Sequence, residues 1–101
     1  MEKVYERCCG LDVYKKTVVA CLRVPGPRGR RASEVRTFGT MTPELLALAD
    51  WLLAARCTHV AMESTGVYWK PVFNILEGVC EVLLVNAHHI KAAPQDRRQG
   101  L

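Results

Sequence analysis

The stretch Ala61-Met62-Glu63-Ser64-Thr65-Gly66-Val67-Tyr68-Trp69 decides how the rest of the chain is read. The apolar run His59-Val60-Ala61-Met62 ends at a carboxylate, passes through small polar residues suited to capping, and enters a segment with helical periodicity. Open α/β sheets place their chemistry at the carboxyl ends of strands, and this reading puts Glu63 there. A second acid, Asp12, ends a similar apolar run in Cys8-Cys9-Gly10-Leu11-Asp12-Val13.

Working outward, Val4 to Leu22 holds two apolar runs flanking Asp12-Val13-Tyr14-Lys15-Lys16. The second, Thr17-Val18-Val19-Ala20-Cys21-Leu22, is rich in β-branched residues, so two strands joined by a tight polar turn are expected. Pro25-Gly26-Pro27-Arg28-Gly29-Arg30 reads as an exposed loop. Ser33-Glu34-Val35-Arg36-Thr37-Phe38-Gly39 alternates polar and apolar, as a third, half-exposed strand does, and the three strands make an antiparallel meander.

The period changes at Thr42. A capping threonine, Pro43 at the first helical position, and Leu45, Leu46, Leu48, Ala49, Leu52 and Leu53 predict a helix to about Ala55. A fourth strand over Thr58 to Met62, a second helix from Val67 to about Glu77, and a fifth strand Glu81-Val82-Leu83-Leu84-Val85, buried on both faces, complete the pattern. Strands alternating with helices at this spacing imply right-handed crossovers and parallel pairing. The order βββαβαβ is that of the ribonuclease H-like α/β fold, a mixed five-stranded sheet with helices packed on it. There the first strand lies beside the fourth, so Asp12 and Glu63 are expected to be neighbours in space.

Composition bounds the chemistry. At 101 residues, half of them hydrophobic, the chain is one domain with a real core. No apolar run reaches the ~18 residues of a membrane span, and no signal-peptide core follows the N-terminus, so a cytoplasmic location without membrane contact is expected. The five cysteines are odd in number, lack CxxC spacing and mostly lie in apolar segments, which reads as reduced, buried thiols. The formal charge of +4, with the run Arg28, Arg30, Arg31 and Arg97, Arg98 near the end, is compatible with nucleic acid; by itself it reads as a solvated face.

Two carboxylates side by side at one sheet edge repel unless a cation neutralises them. Magnesium suits them because it takes hard oxygen ligands and keeps waters or phosphate oxygens in its shell. Paired ions of this kind can activate an attacking oxygen and stabilise the leaving oxygen of a phosphodiester. Singly, each acid has an ordinary explanation, Asp12 as a turn residue and Glu63 as a helix-terminus charge. Ser64 lacks a Gly-x-Ser-x-Gly context and reads as a capping residue rather than a nucleophile. His88 and His89 are adjacent, so they point apart and do not make a metal pair.

Three ordered motifs carry a resemblance. Gly10-Leu11-Asp12-Val13-Tyr14-Lys15-Lys16, Met62-Glu63-Ser64-Thr65-Gly66-Val67-Tyr68-Trp69 and Leu83-Leu84-Val85-Asn86-Ala87-His88-His89-Ile90-Lys91 together resemble the N-terminal RuvC-like DEDD domain of bacterial insertion-sequence transposases, a family that includes the Piv-type invertases. The resemblance implies a magnesium-dependent DNA recombinase, in some members guided by a structured RNA. It makes Asp12 the first acid and Glu63 the second acid of the catalytic, metal-binding set. Lys15, Lys16 and Lys70 become contacts to nucleic-acid phosphates, and Asn86 is a capping residue placed where it can also touch nucleic acid. Tyr68 and Trp69 are expected to pack the helix onto the sheet.

The resemblance covers 1–93 as a partial RuvC-like domain and leaves 94–101 as a divergent tail. The family continues into an Asp-x-x-Asp helix and a domain with a catalytic serine, and Asp96 does not stand in such a pattern. Pro94-Gln95-Asp96-Arg97-Arg98-Gln99-Gly100-Leu101 can be encoded by CCG CAA GAC CGA CGT CAA GGA CTN, which one base forward reads Arg-Lys-Thr-Asp-Val-Lys-Asp. The expectation is therefore a frameshifted, truncated transposase domain lacking the last helix, with weak or absent magnesium binding and no activity alone. Two other readings stand beside it. One is a non-catalytic module binding nucleic acid or full-length transposase; the other is part of an actin-like ATPase, because Gly10-Leu11-Asp12 also resembles a phosphate turn there.

Overall fold

A computed structural model describes residues 5–85. In β1 (Cys8–Val13) Cys9, Leu11 and Val13 are buried while Gly10 and Asp12 face outward, the alternation of a strand covered on one side. β2 (Thr17–Pro25) repeats it with Val18, Ala20 and Leu22 buried. A short 3-10 turn (Pro27–Gly29) leads into β3 (Arg31–Gly39), which begins two residues earlier than its alternating pattern suggested. β3 is exposed along all but its last two residues, because it lies at the sheet edge.

Helix α1 (Thr42–Ala54) buries Leu45, Leu48, Ala49 and Leu52, whereas Leu46 and Leu53 point to solvent. Thr42 does not cap it: Thr42 is already helical, Met41 holds the cap position without a side-chain bond, and the Glu44 carboxylate instead reaches back to accept the Gly39 N–H. β4 (His59–Ser64) runs two residues beyond Met62, so Glu63 lies within the strand rather than just past it. Helix α2 (Trp69–Leu76) starts later than expected, with Tyr68 at its cap. Ser64 is thus too far upstream to cap α2, and its hydroxyl lies 3.1 Å from the Thr65 carbonyl oxygen. β5 is Glu81–Val85, as the sequence suggested.

The five strands order as β3-β2-β1-β4-β5, with β1 antiparallel to β2, β2 antiparallel to β3, and β4 parallel to both β1 and β5. Both helices pack on one face, where Leu45, Leu48, Leu52, Val72 and Leu76 meet Leu11, Val13, Val18, Val60 and Met62. Each such aliphatic side chain withdrawn from water contributes about 1.5–3 kcal/mol before entropy is subtracted. Trp69 and Phe73, edge to face with each other, pack against this core, whereas Tyr68 is 38% exposed and is not among the residues packed there.

The opposite face of the sheet is covered by no described element. Among the described residues β5 is therefore not buried on both faces: it is an edge strand there, and Leu83 and Leu84 are 64% and 40% exposed. Among the described residues no helix is long and apolar enough to cross a membrane.

Candidate metal and nucleic-acid site

The β1–β4 ladder pairs Cys8 with His59 and runs in step to Val13 with Ser64, which makes Asp12 and Glu63 direct register partners. Neighbouring strands lie about 4.8 Å apart, and partners in a parallel pair point to the same side. That side is the open one, since Leu11, Val13 and Met62 on either side of the acids turn into the helix-covered core. Asp12 is exposed and Glu63 half-buried. Across the whole sheet the row reads Thr37, Val19, Asp12, Glu63, Val85, so the two acids are flanked by valines.

The chain leaves both strands by structured turns. After β1, the Tyr14 N–H donates to the Thr17 carbonyl at 2.8 Å and closes a tight turn that holds Lys15 and Lys16 exposed. The Thr40 hydroxyl donates to the Lys15 carbonyl at 3.1 Å and ties the turn to the end of β3. After β4, the Thr65 N–H donates to the Val13 carbonyl at 3.2 Å, extending the ladder one step past the acids. Gly66 then takes a φ of 56°, a left-handed conformation that a side chain resists, and the chain turns into α2. Lys70 sits in the first turn of α2, its Nζ 6.0 Å from the Trp69 ring centre. Lys15, Lys16 and Lys70 thus emerge at the same end of the sheet as the carboxylates. Asn86, His88, His89 and the segment 94–101 lie outside the described residues.

The donor set fits magnesium in part. Two carboxylates on one open surface supply hard, anionic oxygens and leave room for water or phosphate oxygens, a usual arrangement for this ion. No group of three His, Cys, Asp or Glu suited to a metal occurs among the described residues, so the pair stands alone there. The cysteines lie elsewhere. Burial pushes the Cys9 and Cys57 thiols up to about 12, and raises Cys80 as well. The Cys80 thiol donates to the Cys57 carbonyl at 3.3 Å, and the Cys57 thiol to the His59 carbonyl at 3.4 Å. These are protonated core groups rather than nucleophiles at neutral pH.

Sequence reasoning passed over one exposed base on the carboxylate face. Arg23 lies on β2, four residues along from Val19, the register partner of Asp12, and period-two alternation puts both positions on the open side. The signal was available: no acid occurs from Arg23 to Ser33.

A mixed sheet in the order β3-β2-β1-β4-β5, with carboxylates side by side on its central parallel pair, is a ribonuclease H-like α/β domain. The transposase family model of the DEDD, IS110 type matches residues 9–100, and the chain belongs to that family. Among solved structures the chain is similar to a Fowlpox virus resolvase in complex with Holliday junction DNA, with a TM-score of 0.56 and 12% identity. That likeness covers 93% of this chain and 64% of the resolvase. It is also similar to an Aquifex aeolicus member of the Ppx/GppA family, with a TM-score of 0.47, 11% identity, and coverage of 82% of this chain and 36% of that one. The chain thus spans less than two thirds of either structure. No curated protein matches it in sequence.

Proposed function

We propose that the chain acts in DNA transposition as a transposase or recombinase domain whose Asp12 and Glu63 serve metal-dependent phosphodiester chemistry. The observation that carries this is the register pairing of Asp12 with Glu63 on the open face, in a chain of the DEDD transposase family. Asp12 and Glu63 would hold magnesium, which when bound supplies charge neutralisation at a phosphate and activation of an attacking oxygen. The chain's own contribution is placement. The ladder fixes the two carboxylates relative to each other, Lys15, Lys16 and Lys70 are the contacts to phosphates near them, and Asn86, next in sequence after β5, is a further nucleic-acid contact.

Two carboxylates hold magnesium weakly, and strand cleavage from these two alone is expected to be low. DNA is the partner this reading requires; a structured guide RNA and full-length transposase are further partners consistent with the family.

The test is titration of duplex DNA against the full chain, with magnesium and with a chelator. Tighter binding with magnesium, lost in Asp12→Asn and in Glu63→Gln, supports the reading. Equal magnesium dependence in both variants and the parent sinks the role of the acids, and no binding even at low salt sinks DNA as partner.

A second reading, a non-catalytic module that binds nucleic acid or transposase, is favoured by one specific observation. A row of register partners, Val35, Cys21, Gly10, Ala61 and Leu83, crosses the open face from edge to edge with no charged member. Binding with no magnesium dependence at all would favour it.

A further inference from the structure

The β2–β3 hairpin extends beyond the sheet. β1 begins at Cys8, opposite Arg23, so Val24, Pro25, the 3-10 turn and the paired Arg31 and Ala32 project past the end of the central strand. The projection is stiff. Pro25 and Pro27 set their own φ, the Gly26 N–H donates to the Arg30 carbonyl at 2.6 Å, and the Arg30 N–H donates back to the Pro27 carbonyl at 3.2 Å. A Cβ on Gly26 would stand 2.7 Å from that same Arg30 oxygen, so the turn closes as tightly as a glycine allows. Arg31 anchors the base, its guanidinium donating to the Tyr5 and Glu6 carbonyls at 2.9 and 3.3 Å.

Arg28 and Arg30 stand exposed on this support, and neither makes a side-chain hydrogen bond or ion pair with a described residue. Arg28 holds a φ of 60° and ψ of 30°, a left-handed conformation that a non-glycine residue resists. Backbone conformation alone does not single it out, since Arg56 also holds a positive φ, of 57°; what sets Arg28 apart is that it shares a stiff, projecting tip with a second exposed and unpartnered arginine, Arg30. Arg23 lies between tip and acids on the exposed face.

We propose that this arginine hairpin is a second phosphate-binding surface, which grips the backbone of duplex DNA at a distance from the carboxylate pair. The spacing fits. At about 3.4 Å per residue, Arg23 lies about 14 Å along β2 from the register partner of Asp12, and the end of the strand about 20 Å. Phosphates on one DNA strand recur about every 3.4 Å of helix axis, so a duplex with one phosphate at the acids brings others to Arg23 and the hairpin tip within a single turn. The contacts are to backbone and carry no sequence preference; their effect is to set the direction in which the duplex leaves the acids. The proposal rests on the reading of the carboxylate end as a DNA site.

The test is anisotropy of a labelled 30-base-pair DNA duplex with the full chain across a salt series, comparing the parent with Arg28→Ala/Arg30→Ala and with Arg56→Ala. Arg56, exposed two residues past α1, also holds a positive φ, and serves as the control for charge and backbone conformation away from the hairpin. Loss of two phosphate contacts should weaken binding about tenfold at low salt and reduce the slope of log K against log salt by about 2, with Arg56→Ala unchanged. An unaltered slope in the double variant overturns the hairpin, as does an equal change per charge in Arg56→Ala. A loss seen on duplex RNA but not on DNA overturns the choice of ligand. If the hairpin fails while magnesium-dependent binding through Asp12 persists, the proposed function stands without it; if the parent binds no duplex, both fall. The exposed side chains of Arg28 and Arg30 make no hydrogen bond or ion pair with a described residue, so unchanged thermal unfolding of the double variant verifies that folding is not the cause.

Discussion

Asp12 and Glu63, far apart in sequence, meet as register partners across the parallel β1–β4 ladder, on the face of the sheet that neither helix covers. Two like charges about 5 Å apart near water repel by about 1 kcal/mol, so the pair is a small standing cost that a divalent cation removes. Either Asp12→Asn or Glu63→Gln should therefore raise thermal stability slightly without metal. The parent should gain about 2 °C in Tm when magnesium is near its dissociation constant, and both variants should lose that gain. Calorimetry with and without magnesium checks both signs.

Cys9 and Cys57 make stability fall in alkali. Their thiols titrate near 12 in the folded chain against an ordinary 9.0, so the unfolded chain releases protons first. Their contribution is complete below about pH 9 and is lost as pH rises from 9 toward 12, by up to about 1.4 kcal/mol per pH unit for each thiol. Urea midpoints between pH 8 and 11 should fall accordingly, and Cys57→Ala should flatten the decline at some cost in stability at neutral pH.

Met62 is fully buried in β4, immediately before Glu63. Met62→Ala should cost about 2–5 kcal/mol, through lost burial and the cavity left behind. A domain of this size has a total stability of about 5–15 kcal/mol, so the variant should be partly unfolded at 37 °C and should lose magnesium binding together with its fold. Urea denaturation gives the loss directly.

Val35 and Leu83, 62% and 64% exposed, mark the two ends of the apolar row across the open face. An uncovered apolar strip ending at edge strands favours self-association. Val35→Lys with Leu83→Lys should lower light scattering at high protein concentration, with unfolding free energy changed by no more than about 1 kcal/mol for the pair.

Much of this architecture was legible in the sequence, and the reasons are local. Alternation in Cys8–Val13 and Thr17–Pro25, the Leu45, Leu48, Leu52 spacing, and the carboxylate before Ser64-Thr65-Gly66 each follow from nearest-neighbour geometry that repeats every two or 3.6 residues. They sufficed to name the strands and helices, their order and the two acids. Less legible were the ends of elements. Thr42 has the composition of a cap but is the first helical residue: Pro43 has no N–H to satisfy, and the Glu44 and Leu45 N–H groups both donate to the Met41 carbonyl at 3.0 Å, so no side-chain cap is needed.

What the amino-acid order determined by itself was the set of elements, the face each would bury and the identity of the charged residues. Only the tertiary structure decided which positions stand opposite one another: Asp12 opposite Glu63, Arg23 on the face of Asp12, and Leu83 in the open rather than between two layers. The physical reason is that a run such as Glu81-Val82-Leu83-Leu84-Val85 is equally suited to a central strand and to an edge. Its burial depends on what packs above and beside it, and that is a property of the assembled sheet rather than of the run.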